Sequence, residues 1–169
     1  QANWDFHLER FGPVVKILRE HVIRLGLEFV GPKTARAKRA HEFIHNLPGA
    51  LKMAEALGPG VGLLLDAWHW HTSGGTLADL AGLTNDQIVH VHINDAPAGV
   101  PLDELVDNRR RLPGATGVID IAGFLKALKA ARYDGPVTAE PFDQDLNALS
   151  AEEKIAENAR AVLNVLRRV

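Results

Sequence analysis

No cysteine occurs in the 169 residues, which excludes disulfides, thiolate metal sites and cysteine nucleophiles and makes a reducing compartment such as the cytoplasm the expected setting. Charge of one sign is lacking too: 19 Lys plus Arg stand against 21 Asp plus Glu, a formal charge of −2. With no basic face to hold a phosphate backbone, nucleic acid is not an expected partner. Apolar runs reach strand length only, short of the roughly 20 residues that a membrane helix needs, so no membrane association is expected. No positive flank followed by an apolar core opens the chain, and no low-complexity segment or linker divides it, so residues 1–169 read as a single domain. What is present is a 46% hydrophobic content, enough for one substantial core, and eight histidines available as ligands.

Phe11, Val15, Leu18 and Val22 recur at helical spacing, and a short apolar run near 25–30 follows, closed by Gly31-Pro32. A second helical pattern covers Ala40 to Leu57, restarted at Pro48-Gly49 with Asn46 as cap and ended by Gly58-Pro59-Gly60. Further apolar runs near 61–66, 88–94 and 136–140 read as strands. Thr76, Asp120 and Ser150 are the expected helix starts between and after them, Ser150 forming a capping box with Glu153. Strands apolar on both faces and joined by helices predict an α/β fold with a parallel sheet, because a parallel crossover needs a dozen or more residues and favours a helix. About four such βα units, led by a helix that lacks its own strand, fit the C-terminal half of a (β/α)8 barrel of the TIM type better than a complete small open sheet. Gln1 in place of an initiator Met agrees with a truncated or paired half. A half-barrel exposes two sheet edges and an apolar inner face, so a homodimer is the expected assembly.

Each apolar run stops at, or just before, a metal-binding side chain: Glu28, Asp66, His92 and Glu140. A parallel barrel gathers the C-terminal ends of its strands on one face, so four side chains far apart in sequence can meet around one ion. Left unpaired, each would be costly to bury, and four in register argue for a shared ligand. Three carboxylates and one imidazole form a hard donor set, suited first to Mn²⁺ and then to Mg²⁺, Co²⁺ or Zn²⁺. Beyond Asp66, His69 is the better placed of two histidines to act as hydrogen-bond partner or proton relay, ahead of His71. Trp68 and Trp70 are read as packing, with an apolar wall against a sugar ring as the alternative. Period two places His90 and His92 on one face, His90 deeper as a hydrogen-bonded core residue. Asp95 leaves on the other face, free to orient a loop or cap a turn. Among Arg109, Arg110 and Arg111, a loop at the mouth can spare one to clamp a substrate hydroxyl or phosphate.

Leu27-Glu28-Phe29, Leu65-Asp66 with His69, the run His90-Val91-His92-Ile93-Asn94-Asp95 and Thr138-Ala139-Glu140-Pro141-Phe142 together resemble the sugar phosphate isomerase/epimerase superfamily, the xylose isomerase-like barrels. The resemblance spans essentially the whole chain. It implies that Glu28, Asp66, His92 and Glu140 bind a divalent metal, that His69 contacts substrate and that Arg110 belongs to a substrate-contacting loop. The activity implied is isomerisation or epimerisation of a sugar, sugar phosphate or inosose through an enediolate, Glu28 and Glu140 exchanging the proton; a dehydration through the same intermediate is the variant. One departure stands out: where the family has Pro-Gly, one residue and Gly, this chain has Pro113-Gly114-Ala115-Thr116-Gly117. Two rival readings are a non-catalytic half-barrel and an apurinic-site endonuclease. The second would call for an Asp-Arg-His motif, where this loop reads Asp107-Asn108-Arg109.

Overall fold

Parallel pairing runs through every strand of the computed structural model, which describes all 169 residues. Leu25–Leu27 (β1), Val61–Asp66 (β2), Ile88–Ile93 (β3) and Val137–Ala139 (β4) form one sheet in sequence order. Its register sets Leu27 beside Leu63, Asp66 beside His92 and His92 beside Thr138, with an irregularity between Leu63 and Leu64. Helices alternate with the strands: Ala2–Glu20 (α1), Lys33–Arg36 (α2), Leu47–Leu57 (α3), Ala67–Thr72 (α4), Leu77–Leu80 (α5), Ile121–Ala130 (α6) and Ala151–Leu166 (α7). This is the expected α/β half-barrel, open at β1 and β4.

Local chemistry explains the boundaries. Asn46 Oδ1 accepts the Gly49 amide at 3.0 Å, so α3 starts there, and the stretch from Ala40 that shares its periodicity stays irregular. Asp120 Oδ1 takes the Gly123 amide at 2.8 Å, and Ser150 with Glu153 closes the capping box of α7. α1 stops at Glu20, short of Val22, which adopts a φ of 59° and is 93% exposed. The outer strands fall short of their apolar runs: β1 covers 25–27 rather than 25–30, and β4 covers 137–139 rather than 136–140. Each has a partner on one side only, and Pro136 has no amide hydrogen to give.

The core lies between the sheet and its helices, where Leu63, Leu65, Ile88, Val91 and Ile93 pack against Trp70, Leu80, Ile121, Phe124 and Leu128. The other face carries Leu64, His90, His92 and Thr138, none of them fully buried. Exposed apolar side chains gather on the terminal helices: Phe6, Val14 and Ile17 on α1, and Ile155, Leu163 and Leu166 on α7. No helix is long and apolar enough to cross a membrane.

Candidate metal centre

Asp66, the last residue of β2, is wholly buried and shares out both carboxylate oxygens. Oδ1 accepts the Trp68 amide at 2.7 Å, capping α4, and Asn94 Nδ2 at 2.9 Å. Oδ2 is left to face the mouth. One strand over, His92 projects from β3 on the same side, and beyond it Glu140 follows β4, its amide held by the Ile93 carbonyl at 3.1 Å. Glu28 comes one residue after β1. Sheet register thus delivers the four predicted ligands to one spot, with one donor atom from each within 4.8 Å of the others.

His92 Nδ1 is the focus of this set. It lies 3.4 Å from Glu140 Oε2 and 3.8 Å from both Asp66 Oδ2 and Glu28 Oε1, and it is buried without a hydrogen-bond partner. A buried ring nitrogen with nothing to bond is rare unless a ligand completes it. Three carboxylate oxygens around one unpartnered imidazole nitrogen fit a divalent ion in charge and donor type. Crowding shows in the protonation of Glu28: burial first, then the charges of Asp66 and Glu140, raise its pKa from 4.5 to about 7.

Around the set, His69 is the histidine that faces the ligands, its Nε2 3.9 Å from Glu28 Oε1 and 4.0 Å from Asp107 Oδ1. Burial above all lowers its pKa, which favours the neutral ring. The Gly31 amide donates to Nδ1 at 3.3 Å, and Arg110 Nη2 lies 3.3 Å from Nε2, so both ring nitrogens are held from the protein side. The approach depends on glycine: a Cβ on Gly31 would sit 2.2 Å from the His69 carbonyl oxygen and 2.6 Å from Thr72 Oγ1.

Arg110, of the three arginines, turns inward. Its Nη1 donates to Asp66 Oδ2 and Glu140 Oε2, both at 2.7 Å, and its Nη2 to Asp107 Oδ1 at 2.8 Å. The guanidinium lies between two rings, 5.4 Å from the centroid of Trp68 and 4.9 Å from that of Phe142. Arg111 instead pairs with Asp143 and Asp145 outside the site. The longer 113–117 loop is absorbed by Asp95, whose buried carboxylate accepts amides from Thr116, Gly117 and Ile119 as well as Ala96, so Arg110 still reaches the carboxylates. Trp68 is fully buried with the Arg110 guanidinium 5.4 Å from its ring centroid, so it packs and supports that side chain, and the alternative of a wall against a substrate is corrected. His90 is hydrogen-bonded as expected, 2.9 Å from Thr138 Oγ1, but that contact is exposed and the residue lies on the open face of the sheet, outside the core. Sequence reasoning gave no role to Asn94, Asp107 or Phe142. Asp107 carried a faint signal in its spacing of three from Arg110.

A family model of the xylose isomerase-like TIM barrel matches residues 1–168. The inosose isomerase of Halalkalibacterium halodurans is 30% identical over 141 residues, 83% of this chain and 47% of that protein. Among solved structures, a xylose isomerase domain protein from Alicyclobacillus acidocaldarius superposes with a TM-score of 0.84 at 32% identity, over 94% of this chain and 56% of that one. A zinc-bound IOLI protein gives a TM-score of 0.82 at 26% identity, over 96% of this chain and 55% of that one. The chain therefore spans about half the length of the relatives it matches. By its sheet, by the convergence of its strand ends and by these matches, the chain belongs to the xylose isomerase-like TIM barrel family.

Proposed function

We propose that this chain carries the metal-binding half of an isomerase or epimerase that moves a proton beside the carbonyl of a sugar, sugar phosphate or inosose. The observation that carries the reading is the buried, unpartnered His92 Nδ1 surrounded by the carboxylates of Glu28, Asp66 and Glu140. Those four residues are the ones that would hold the ion, Mn²⁺ in the first instance for so oxygen-rich a set, with Mg²⁺, Co²⁺ and Zn²⁺ as alternatives. When bound, a divalent ion would polarise the substrate carbonyl and acidify the neighbouring carbon.

The side chains supply the rest. Glu28 and Glu140 are the two open carboxylates, about a third exposed, while Asp66 is sealed. They stand on opposite edges of the sheet and reach the site from two sides, so one can take the carbon-bound proton and the other return it. Return at the neighbouring carbon gives isomerisation, and return on the opposite face of the same carbon gives epimerisation. His69, buried beside Glu28, is placed to contact a substrate oxygen, and Arg110 holds Asp66 and Glu140 in place.

Titration with Mn²⁺, Mg²⁺, Co²⁺ and Zn²⁺ for the wild type and Glu140→Gln is the first test, followed by nuclear magnetic resonance of ketoses and inososes in D₂O with the loaded protein. Deuterium exchange at the carbon beside the carbonyl, lost in Glu140→Gln, is the expected result. A protein that binds metal but exchanges no proton in any such substrate would overturn the catalytic reading. That outcome is the one anticipated by the rival non-catalytic half-barrel, which the unpaired edges of β1 and β4 favour. The same edges lead us to propose self-association into a homodimer, measured by light scattering across a concentration series.

A further inference from the structure

Arg110 Nη1 makes its two shortest contacts with Asp66 Oδ2 and Glu140 Oε2, at 2.7 Å each. These are the same two oxygens that face His92 Nδ1, at 3.8 and 3.4 Å. A cation of the chain's own is therefore seated against the pair of oxygens that a divalent ion would use. The seat is well built: Arg110 is only 2% exposed, Asp107 holds it through Nη2 and, by its carbonyl, through Nε at 3.1 Å, and Trp68 and Phe142 enclose it. Asp66 has no free oxygen to exchange, because Oδ1 is committed to the Trp68 amide and Asn94.

Resting on the reading of Glu28, Asp66, His92 and Glu140 as a metal set, we propose that Arg110 is a resident counter-ion that competes with the divalent ion for Asp66 Oδ2 and Glu140 Oε2. Two opposed effects follow from one charge. The guanidinium neutralises carboxylates that would otherwise repel one another, so it supports the fold when no metal is supplied. It also repels a second cation brought within a few ångströms, so it weakens metal binding. As the ion enters, Nη1 gives up at least one of its two oxygens, while Asp107 keeps the side chain within reach. Metal occupancy is thereby coupled to the 107–112 loop, to which Arg110 and Asp107 both belong.

The test uses Mn²⁺ alone as the probe, with calorimetry and thermal unfolding of the wild type, Arg110→Gln and Arg110→Lys. Arg110→Gln is expected to bind Mn²⁺ about tenfold more tightly than the wild type. It should also melt lower in chelator and gain more on metal saturation. Arg110→Lys, a point charge without the planar fork, should fall between them. Equal or weaker affinity in Arg110→Gln would show that Arg110 merely orients the carboxylates, and the proposal would fail while the metal reading stands. If neither the wild type nor the variants bind Mn²⁺, both are overturned. Should Arg110→Gln not fold in chelator, the lysine variant decides: a gain in affinity supports competition, and no gain refutes it.

Discussion

The inner and outer sides of the candidate metal centre are built differently. On the inner side, Asp66, Arg110 and His69 are almost sealed from solvent, and hydrogen bonds from α4, Asn94, Asp107 and Gly31 fix them. On the outer side, Glu28 and Glu140 follow the short edge strands β1 and β4 and remain about a third exposed. The central strands thus give fixed anchors, and the edges give carboxylates with room to meet a substrate. The contrast teaches that ligand identity and mechanical role separate. Glu28, Asp66, His92 and Glu140 are candidates for one ion, yet Asp66 is also structural while Glu28 and Glu140 are not.

Substitution at the inner anchor should break this contrast most sharply. Asp66→Asn removes the partner of a buried guanidinium and disturbs the cap of α4, so it should destabilise the chelator-treated protein by about 3–5 kcal/mol as well as abolish metal binding. Glu140→Gln, by contrast, should abolish binding while changing stability by no more than about 1 kcal/mol, since its pairing is half open to water. Urea unfolding in chelator beside calorimetry separates the two; equal destabilisation would erase the distinction drawn here. Gly31→Ala should come next, at about 1–3 kcal/mol, because the added methyl meets the His69 carbonyl oxygen at 2.2 Å and must push α4 aside. Metal affinity should survive that change while proton exchange in D₂O declines.

The outer side is sharpened by pH. A carboxyl with a folded pKa above its unfolded value favours the fold while it is protonated. For Glu28 that contribution is complete below about pH 4.5 and lost as pH rises through about 7. The chelator-treated protein should therefore lose stability across this window, and Glu28→Gln should flatten the profile. Metal binding should release a proton below about pH 7 and tighten as pH rises to that value, which calorimetry in buffers of different ionisation enthalpy measures directly. The smallest effect is expected at His90→Gln, whose contact with Thr138 is exposed. A loss of about 0.5–1 kcal/mol with unchanged metal affinity would place His90 outside the centre, and a large loss of affinity would place it inside.

The convergence of the candidate ligands was legible because a parallel sheet turns position on a strand into position in space. Glu28, Asp66, His92 and Glu140 needed only the ends of four apolar runs to be found. Caps at Asn46, Asp120 and Ser150 were legible for the same local reason: a side-chain oxygen meets a free amide within three residues. What escaped depended on long-range packing. For Trp68 a mouth-lining wall stayed open beside packing, because nothing local shows that α4 turns its ring inward beneath a guanidinium. Nor does local sequence tell which of three consecutive arginines enters the site. Arg110 does so because Asp143 and Asp95 hold the chain that follows it, at Leu112 and Thr116, and Asp107 receives it. The outer strands came out shorter than their apolar runs because hydrophobicity reports burial, whereas a ladder needs a neighbour.

Phe142 takes a φ of 40° while it covers Arg110, a backbone conformation that glycine adopts freely and an aromatic residue resists. Phe142→Gly would relax the chain and remove the cover in one step. At this position, selection for a sturdier molecule and selection for a better-shielded guanidinium pull in opposite directions. A screen for thermostability alone would therefore erode the site from its outermost ring, leaving every candidate metal ligand intact.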